Sequence, residues 1–193
     1  MGNFVVSNKI TMATEFNDMQ KVKRAFFTMR NGALADNMRR QGADYRIIFG
    51  VNLPQLIEIA RETPHNATLA QALWDNKTTR ESMLLAPMIY PIEQFSVDTA
   101  RKWIAETPSA EVADILCHRL LRHTEFADTL ADEILSSDSN MQRYTALRLK
   151  FNRLPHNINQ VLAQARAELN RNCPLTISIC HSLINEIEFL REE

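Results

Sequence analysis

An aspartate and an arginine in the second half of the chain have residue types that suit chemistry on a charged substrate. Asp114 follows Val112 in a helical pattern and is predicted to project roughly opposite the apolar stripe of its helix, by the 100° step per residue. Arg143 precedes Tyr144 near the start of a later helix. A carboxylate can stabilise a developing positive charge, and a guanidinium can bind phosphate. On spacing alone, an ordinary exposed aspartate remains the simpler interpretation of Asp114.

The histidines and cysteines lack the spacing of a metal site or a nucleophilic pair. His118 and His123 are five residues apart, which places them on different sides of a helix. Cys180 and His181 are adjacent in sequence, which does not by itself bring their side chains together. The sequence also contains no Gly-rich phosphate loop, HExxH or GxSxG motif. It therefore predicts neither a bound metal nor cysteine catalysis.

Positive charge is concentrated near the N-terminus. Residues 1–46 hold eight Lys/Arg against four Asp/Glu, residues 93–139 hold four against ten, and residues 140–193 hold seven against five. The net charge of −1 therefore averages over opposing regions and does not exclude a local basic surface. The predicted phosphate contacts are Lys21, Lys23, Arg24, Arg30, Arg39 and Arg40. A solvated helix face is the alternative interpretation.

The elements that position these residues are predicted to be helices throughout. Only 4 glycines occur in 193 residues, and no segment alternates with period two. Helix starts are predicted at Asn52 ahead of Pro54, at a Thr78–Glu81 capping box, and at Ser96, Ser109, Thr124 and Asp138, with the last helices over 157–169 and 175–190. We expect a single all-α domain over residues 1–193. Its antiparallel helix pairs would stack as a HEAT or armadillo-like right-handed superhelix, with an irregular bundle as the alternative.

The sequence predicts a cytoplasmic protein without a membrane partner. Its first six residues lack the basic flank and apolar region of a signal peptide. The longest apolar stretch, residues 83–92, is interrupted by Pro87 and Pro91 and falls well short of the roughly 20 residues that a membrane span needs. Three cysteines without CxxC spacing are typical of free thiols in a reducing compartment.

Four segments, taken in order, carry a family resemblance. They are YRIIFGVNLPQLIEI at residues 45–59, the Leu73-Trp74 pair with Arg80-Glu81 and Leu84-Leu85-Ala86, the helix EVADIL at residues 111–116, and Met141-Gln142-Arg143. Together they resemble the bacterial DNA alkylation repair family, the AlkD-like DNA glycosylases with HEAT-like repeats. The resemblance covers about residues 20 to 152.

The resemblance implies a concave, positively charged surface that holds damaged duplex DNA. It implies hydrolysis of the N-glycosidic bond of cationic N3- or N7-alkylated purines, without flipping of the base. Asp114 would lie near the deoxyribose, where it stabilises an oxocarbenium-like transition state and helps to position water. Arg143 would bind the DNA backbone. Because the leaving base is already cationic, no strong general acid is needed, and no metal or organic cofactor is implied.

Two positions depart from the family pattern. Ala110 stands where the family has a tryptophan, and Ser182 aligns with a second aromatic residue. Those aromatic residues contact the sugar and backbone around the lesion, so their loss would weaken cation–π stabilisation. Trp74 and Trp103 are predicted to be core residues and do not replace them. The alternatives to a glycosylase are therefore a catalytically inactive relative that binds DNA, or a HEAT-type scaffold for a protein partner.

Overall fold

The computed structural model describes residues 18–192, so the segment that carries the signal-peptide prediction lies outside the described residues. The described chain forms two compact units, residues 18–94 and 95–192, and each is treated separately below. The single-domain assignment over residues 1–193 stays a prediction. Within residues 18–192, no helix is both long enough and apolar enough to cross a membrane.

The first unit is built around one helix that is buried on almost every side. It contains α1, described over residues 18–28, then α2 (Gly32–Arg40), α3 (Leu53–Glu62), α4 (Ala67–Asp75) and α5 (Arg80–Ile89), with a short 3₁₀ turn at Ile92–Gln94. The helices α3 and α4 pack on α5, which is buried from Arg80 through Pro87. Trp74 is fully buried in this core, as the sequence predicts. A helix covered on several sides needs no polar face.

A buried carboxylate fastens the loop before α3 to the start of α5. The Glu81 carboxylate accepts hydrogen bonds from the backbone N–H groups of Phe49 (3.1 Å), Gly50 (3.0 Å) and Val51 (3.3 Å). Gly50 has φ +74°, and a Cβ there would lie 2.1 Å from the carbonyl oxygen of Asn31. Gly50-Val51 and Arg80-Glu81, which belong to two segments of the family resemblance, are therefore hydrogen-bonded to each other.

The second unit is also built around a central helix. It contains α6 (Val97–Glu106), α7 (Ala110–Arg119), a 3₁₀ turn at Leu121–His123, α8 (Ala127–Leu135), α9 (Asn140–Asn152), α10 (Ile158–Leu169) and α11 (Pro174–Glu192). The central helix is α9, which packs against α7, α8 and α11. Trp103 is fully buried, again as predicted. The side chains that α9 presents to α7 therefore determine the surroundings of Asp114.

Most helix starts agree with the sequence prediction, and three differ. Asn52 caps α3 in a capping box with Gln55, while Ser96 and Ser109 cap α6 and α7. The Thr78–Glu81 capping box is wrong, because the N-cap of α5 is Thr79 and Glu81 is used by the loop at residues 49–51. Thr124 is also wrong as a helix start, because its hydroxyl donates back to Leu121 and α8 starts after Phe126. The predicted start at Asp138 is one residue early, because Ser139 caps α9.

Candidate functional site

Asp114 lies at the edge of the buried face of α7. The helix is capped by the Ser109 side chain, which accepts from the N–H of Val112. The prediction that Asp114 projects opposite the apolar stripe is wrong, because Ala113 and Cys117 are buried as well and widen the stripe. The carboxylate is consequently half-buried, with 34% of the side chain exposed, and it faces α9.

Two residues of α9 hold this carboxylate in a fixed orientation. Arg148 donates from Nε to Oδ1 of Asp114 (2.6 Å) and from Nη2 to Oδ2 (2.8 Å), which is a bidentate pair. The Tyr144 hydroxyl donates to Oδ1 at 2.8 Å. Burial, together with the hydrogen bond to Asp114, raises the pKa of Tyr144 to about 12, so this donor keeps its proton at neutral pH. We refer to Asp114, Tyr144 and Arg148 as the Asp114 site.

Arg143 occupies a different environment from the one predicted for it. Its guanidinium is buried and donates to the Glu168 carboxylate (3.0 Å), to the carbonyls of Ser137 (3.1 Å) and Asp138 (2.9 Å), and to Asn140 (2.6 Å). These bonds join the turn before α9 to α10. These contacts give Arg143 a structural role, and the arginine that pairs with Asp114 is Arg148. Contact between Arg143 and DNA stays a prediction.

Sequence reasoning missed Tyr144 and Arg148. They are four residues apart and therefore lie on one face of α9. That spacing was readable, but α9 also carries Arg143 and Lys150, and only the packing of α9 against α7 shows which cation meets Asp114.

A second carboxylate–guanidinium pair in the same unit provides a comparison for the Asp114 site. Asp128 on α8 is held by the Nε (3.0 Å) and Nη2 (2.6 Å) of Arg153, and its side chain is about as exposed as that of Asp114. The hydrogen bond from Arg153 lowers the pKa of Asp128. This pair has the same chemistry as Asp114–Arg148 but a different position.

A histidine one turn after Asp114 adds little charge near neutral pH. His118 lies 3.2 Å from the Nη1 of Arg122 through its Nδ1. Burial lowers the pKa of His118, and the neighbouring arginines, Arg122 first, lower it further. Over residues 18–192, no group of three or more His, Cys, Asp or Glu side chains is arranged to hold a metal ion.

Five of the six residues of the predicted basic cluster lie on α1 and α2 of the first unit, and Arg30 lies between these two helices. Lys21, Lys23, Arg24, Arg39 and Arg40 are all exposed. Lys21 pairs with Asp18 at 3.0 Å, and Arg39 has a looser contact of 3.8 Å with Asp36. Exposed pairs of this kind contribute little to stability, so these cations can exchange partners readily.

The two positions that depart from the family pattern, Ala110 and Ser182, both lie in the second unit. Ala110 is half-buried and packs against the core of the second unit. Ser182 is exposed, and its hydroxyl donates to the carbonyl of Ser178 at 3.0 Å.

The site and the fold together define a helical-repeat protein with a positioned carboxylate, and comparisons with known proteins agree. Residues 22–191 match the sequence profile of a family described as DNA alkylation repair enzyme, and the chain belongs to that family. A solved structure is similar at a TM-score of 0.77 and 17% identity, covering 86% of this chain and 74% of that one. It is described as a new family of proteins related to the HEAT-like repeat DNA glycosylases, with affinity for branched DNA structures. No curated protein matches the chain. The predicted all-α, HEAT-like fold is confirmed.

Proposed function

We propose that the protein hydrolyses the N-glycosidic bond of cationic N3- or N7-alkylated purines in duplex DNA, with Asp114 as the charge-stabilising residue. Family membership supports action on alkylated DNA. The observation that carries the assignment to Asp114 is the half-buried carboxylate held by three hydrogen bonds. A carboxylate held in one orientation by its hydrogen bonds can place negative charge where a cationic centre develops.

The proposed reaction needs charge stabilisation more than proton transfer. When the bond between the base and C1′ breaks, its electron pair leaves with the cationic base, which becomes neutral. The positive charge moves to the sugar as an oxocarbenium-like centre. The Asp114 carboxylate stabilises that charge and helps to position the water that adds to C1′, and the proton of that water passes to solvent.

Arg148 would regulate how much negative charge Asp114 presents. In the free protein its guanidinium neutralises the carboxylate. A DNA phosphate competes for the same bidentate donor, because guanidinium geometry matches phosphate as well as carboxylate. We infer that Arg148 moves to the phosphate when DNA binds and leaves Asp114, still oriented by Tyr144, facing the sugar.

The exposed cations of α1 and α2 are proposed to hold the DNA backbone without reading its sequence. Lys21, Lys23, Arg24, Arg39 and Arg40 are suited to phosphate contacts of this kind. Arg143 remains in the proposal as a predicted backbone contact that would first have to leave Glu168.

Binding of DNA without hydrolysis is the second candidate function. Ala110 favours it, because the family tryptophan that contacts the sugar is missing there. The neutralisation of Asp114 by Arg148 also favours it, as does the similar protein described as having affinity for branched DNA structures.

Base release from duplex DNA containing N7-methylguanine separates the two candidates. The purified full chain is mixed in excess with the duplex, and free base is measured by chromatography. A glycosylase releases base well above the spontaneous rate. If release stays at the spontaneous rate while DNA affinity falls with increasing salt, the second candidate replaces the first. If the chain shows neither release nor salt-dependent DNA binding, both fail and a protein partner becomes the better proposal.

A further inference from the structure

An exposed aromatic side chain lies within the basic surface of the first unit. Phe27 on α1 is 56% exposed, whereas the adjacent Phe26 is fully buried. Lys23 and Arg24 precede Phe27 by four and three residues, so all three share one face of the helix. A single exposed aromatic ring is common on protein surfaces, so its significance depends on the charged groups beside it.

A guanidinium already stacks on this ring. The Cζ atom of Arg30 lies 3.8 Å from the ring centroid of Phe27, within the range of a cation–π contact. The Nη1 of Arg30 also donates to the carbonyl of Phe27 at 2.7 Å, which holds the side chain over the ring. Both side chains remain exposed. They form an aromatic–guanidinium pair held in place by a hydrogen bond, the kind of platform on which a nucleobase stacks.

The same arginine borders an open cleft of about 490 Å³. Arg30 and Arg39 line the cleft with Gly32, where no other atom lies within 4 Å of the position of a Cβ. Asp36 also lines it and is the one opposing charge among the lining residues. The volume is within the range of small-ligand sites, and two arginines beside a base platform suit a phosphate group.

We propose that this surface binds a single-stranded stretch of DNA, with an unpaired base on the Phe27–Arg30 pair and the adjoining phosphate between Arg30 and Arg39. The proposal rests on the proposed DNA binding and adds a substrate class, namely DNA with unpaired bases. A duplex keeps its bases stacked inside, so only single-stranded or gapped DNA can use the ring.

The test compares two phenylalanines of equal exposure. Phe189 on α11 is also 56% exposed, but Glu186, Glu188 and Glu192 are its neighbours in sequence, so Phe189→Ala is the matched control. Affinity of the full chain for a fluorescent 15-nucleotide single strand and for the matching duplex is measured by anisotropy. Phe27→Ala should weaken single-strand binding by about tenfold to a hundredfold and duplex binding by less than about twofold, and Phe189→Ala should change neither.

A conservative variant protects the test against simple loss of folding. Phe27→Trp keeps an aromatic face and should retain wild-type affinity for the single strand or exceed it. Equal affinity of Phe27→Ala and wild type for the single strand, or equal losses on single strand and duplex, would overturn the proposal, as would failure of the wild type to bind the single strand. The outcome is independent of base release, so the glycosylase proposal and this one can fail separately.

Discussion

Asp114 and Arg148 are 34 residues apart, and no local spacing rule joins them. Helical spacing placed Asp114 on the polar side of its helix, and the family resemblance gave it the role of stabilising the transition state. The same resemblance assigned DNA-backbone contact to Arg143, near the start of α9. The structure uses Arg143 to secure the turn before α9 and presents Arg148 to α7 instead. Which arginine faces a carboxylate depends on tertiary packing, and the periodicity within one helix carries no information about that packing.

If Arg148 moves onto a phosphate when DNA binds, its removal should show in the salt dependence of affinity. We expect Arg148→Gln to weaken duplex binding and to reduce the slope of log affinity against log salt by about 0.9, the value for one phosphate contact. Arg101→Gln is the control, because Arg101 is an exposed cation of the same unit in a bidentate pair with Glu133. An unchanged slope in Arg148→Gln would show that this residue only orients Asp114.

The start of α5 shows how one residue can satisfy two different patterns. Thr78 and Glu81 have the spacing of a capping box, and the sequence prediction used it. In the fold, Glu81 is fully buried and accepts from three N–H groups of a loop about 30 residues earlier. A glutamate at this position can either cap its own helix or accept hydrogen bonds from a distant loop, and the local spacing is the same in both cases. The starts of α3, α6 and α7 were predictable because their caps are purely local.

The hydrogen bonds between Glu81 and the loop at residues 49–51 lead to a prediction for stability. We expect Glu81→Gln to lower the free energy of unfolding by about 2–4 kcal/mol, because the neutral amide loses the ion pair with Arg80 and turns N–H donors toward N–H donors. Urea denaturation followed by circular dichroism measures the change. Glu58→Gln, on an exposed position of α3, should stay within about 0.5 kcal/mol of wild type. A loss below about 1 kcal/mol for Glu81→Gln would mean that the loop is held by other contacts.

At the scale of the whole molecule, composition predicted the fold class and concealed the distribution of charge. Few glycines and continuous helical patterning indicated an all-α protein, which the structure and the family confirm. The net charge of −1 gave no sign that exposed cations cluster on α1 and α2 of the first unit. It also gave no sign that the candidate catalytic carboxylate of the second unit is neutralised by its own arginine.

The central proposal is that Asp114, rather than any other carboxylate paired with an arginine, accelerates base release. The most direct measurement is the single-turnover rate of N7-methylguanine release by wild type, Asp114→Asn and Asp128→Asn, since both variants lose one carboxylate from a bidentate pair in the same unit. We predict that Asp114→Asn lowers the rate by about a hundredfold or more, and that Asp128→Asn changes it by less than about threefold. Equal rates for the two variants would contradict the assignment of Asp114.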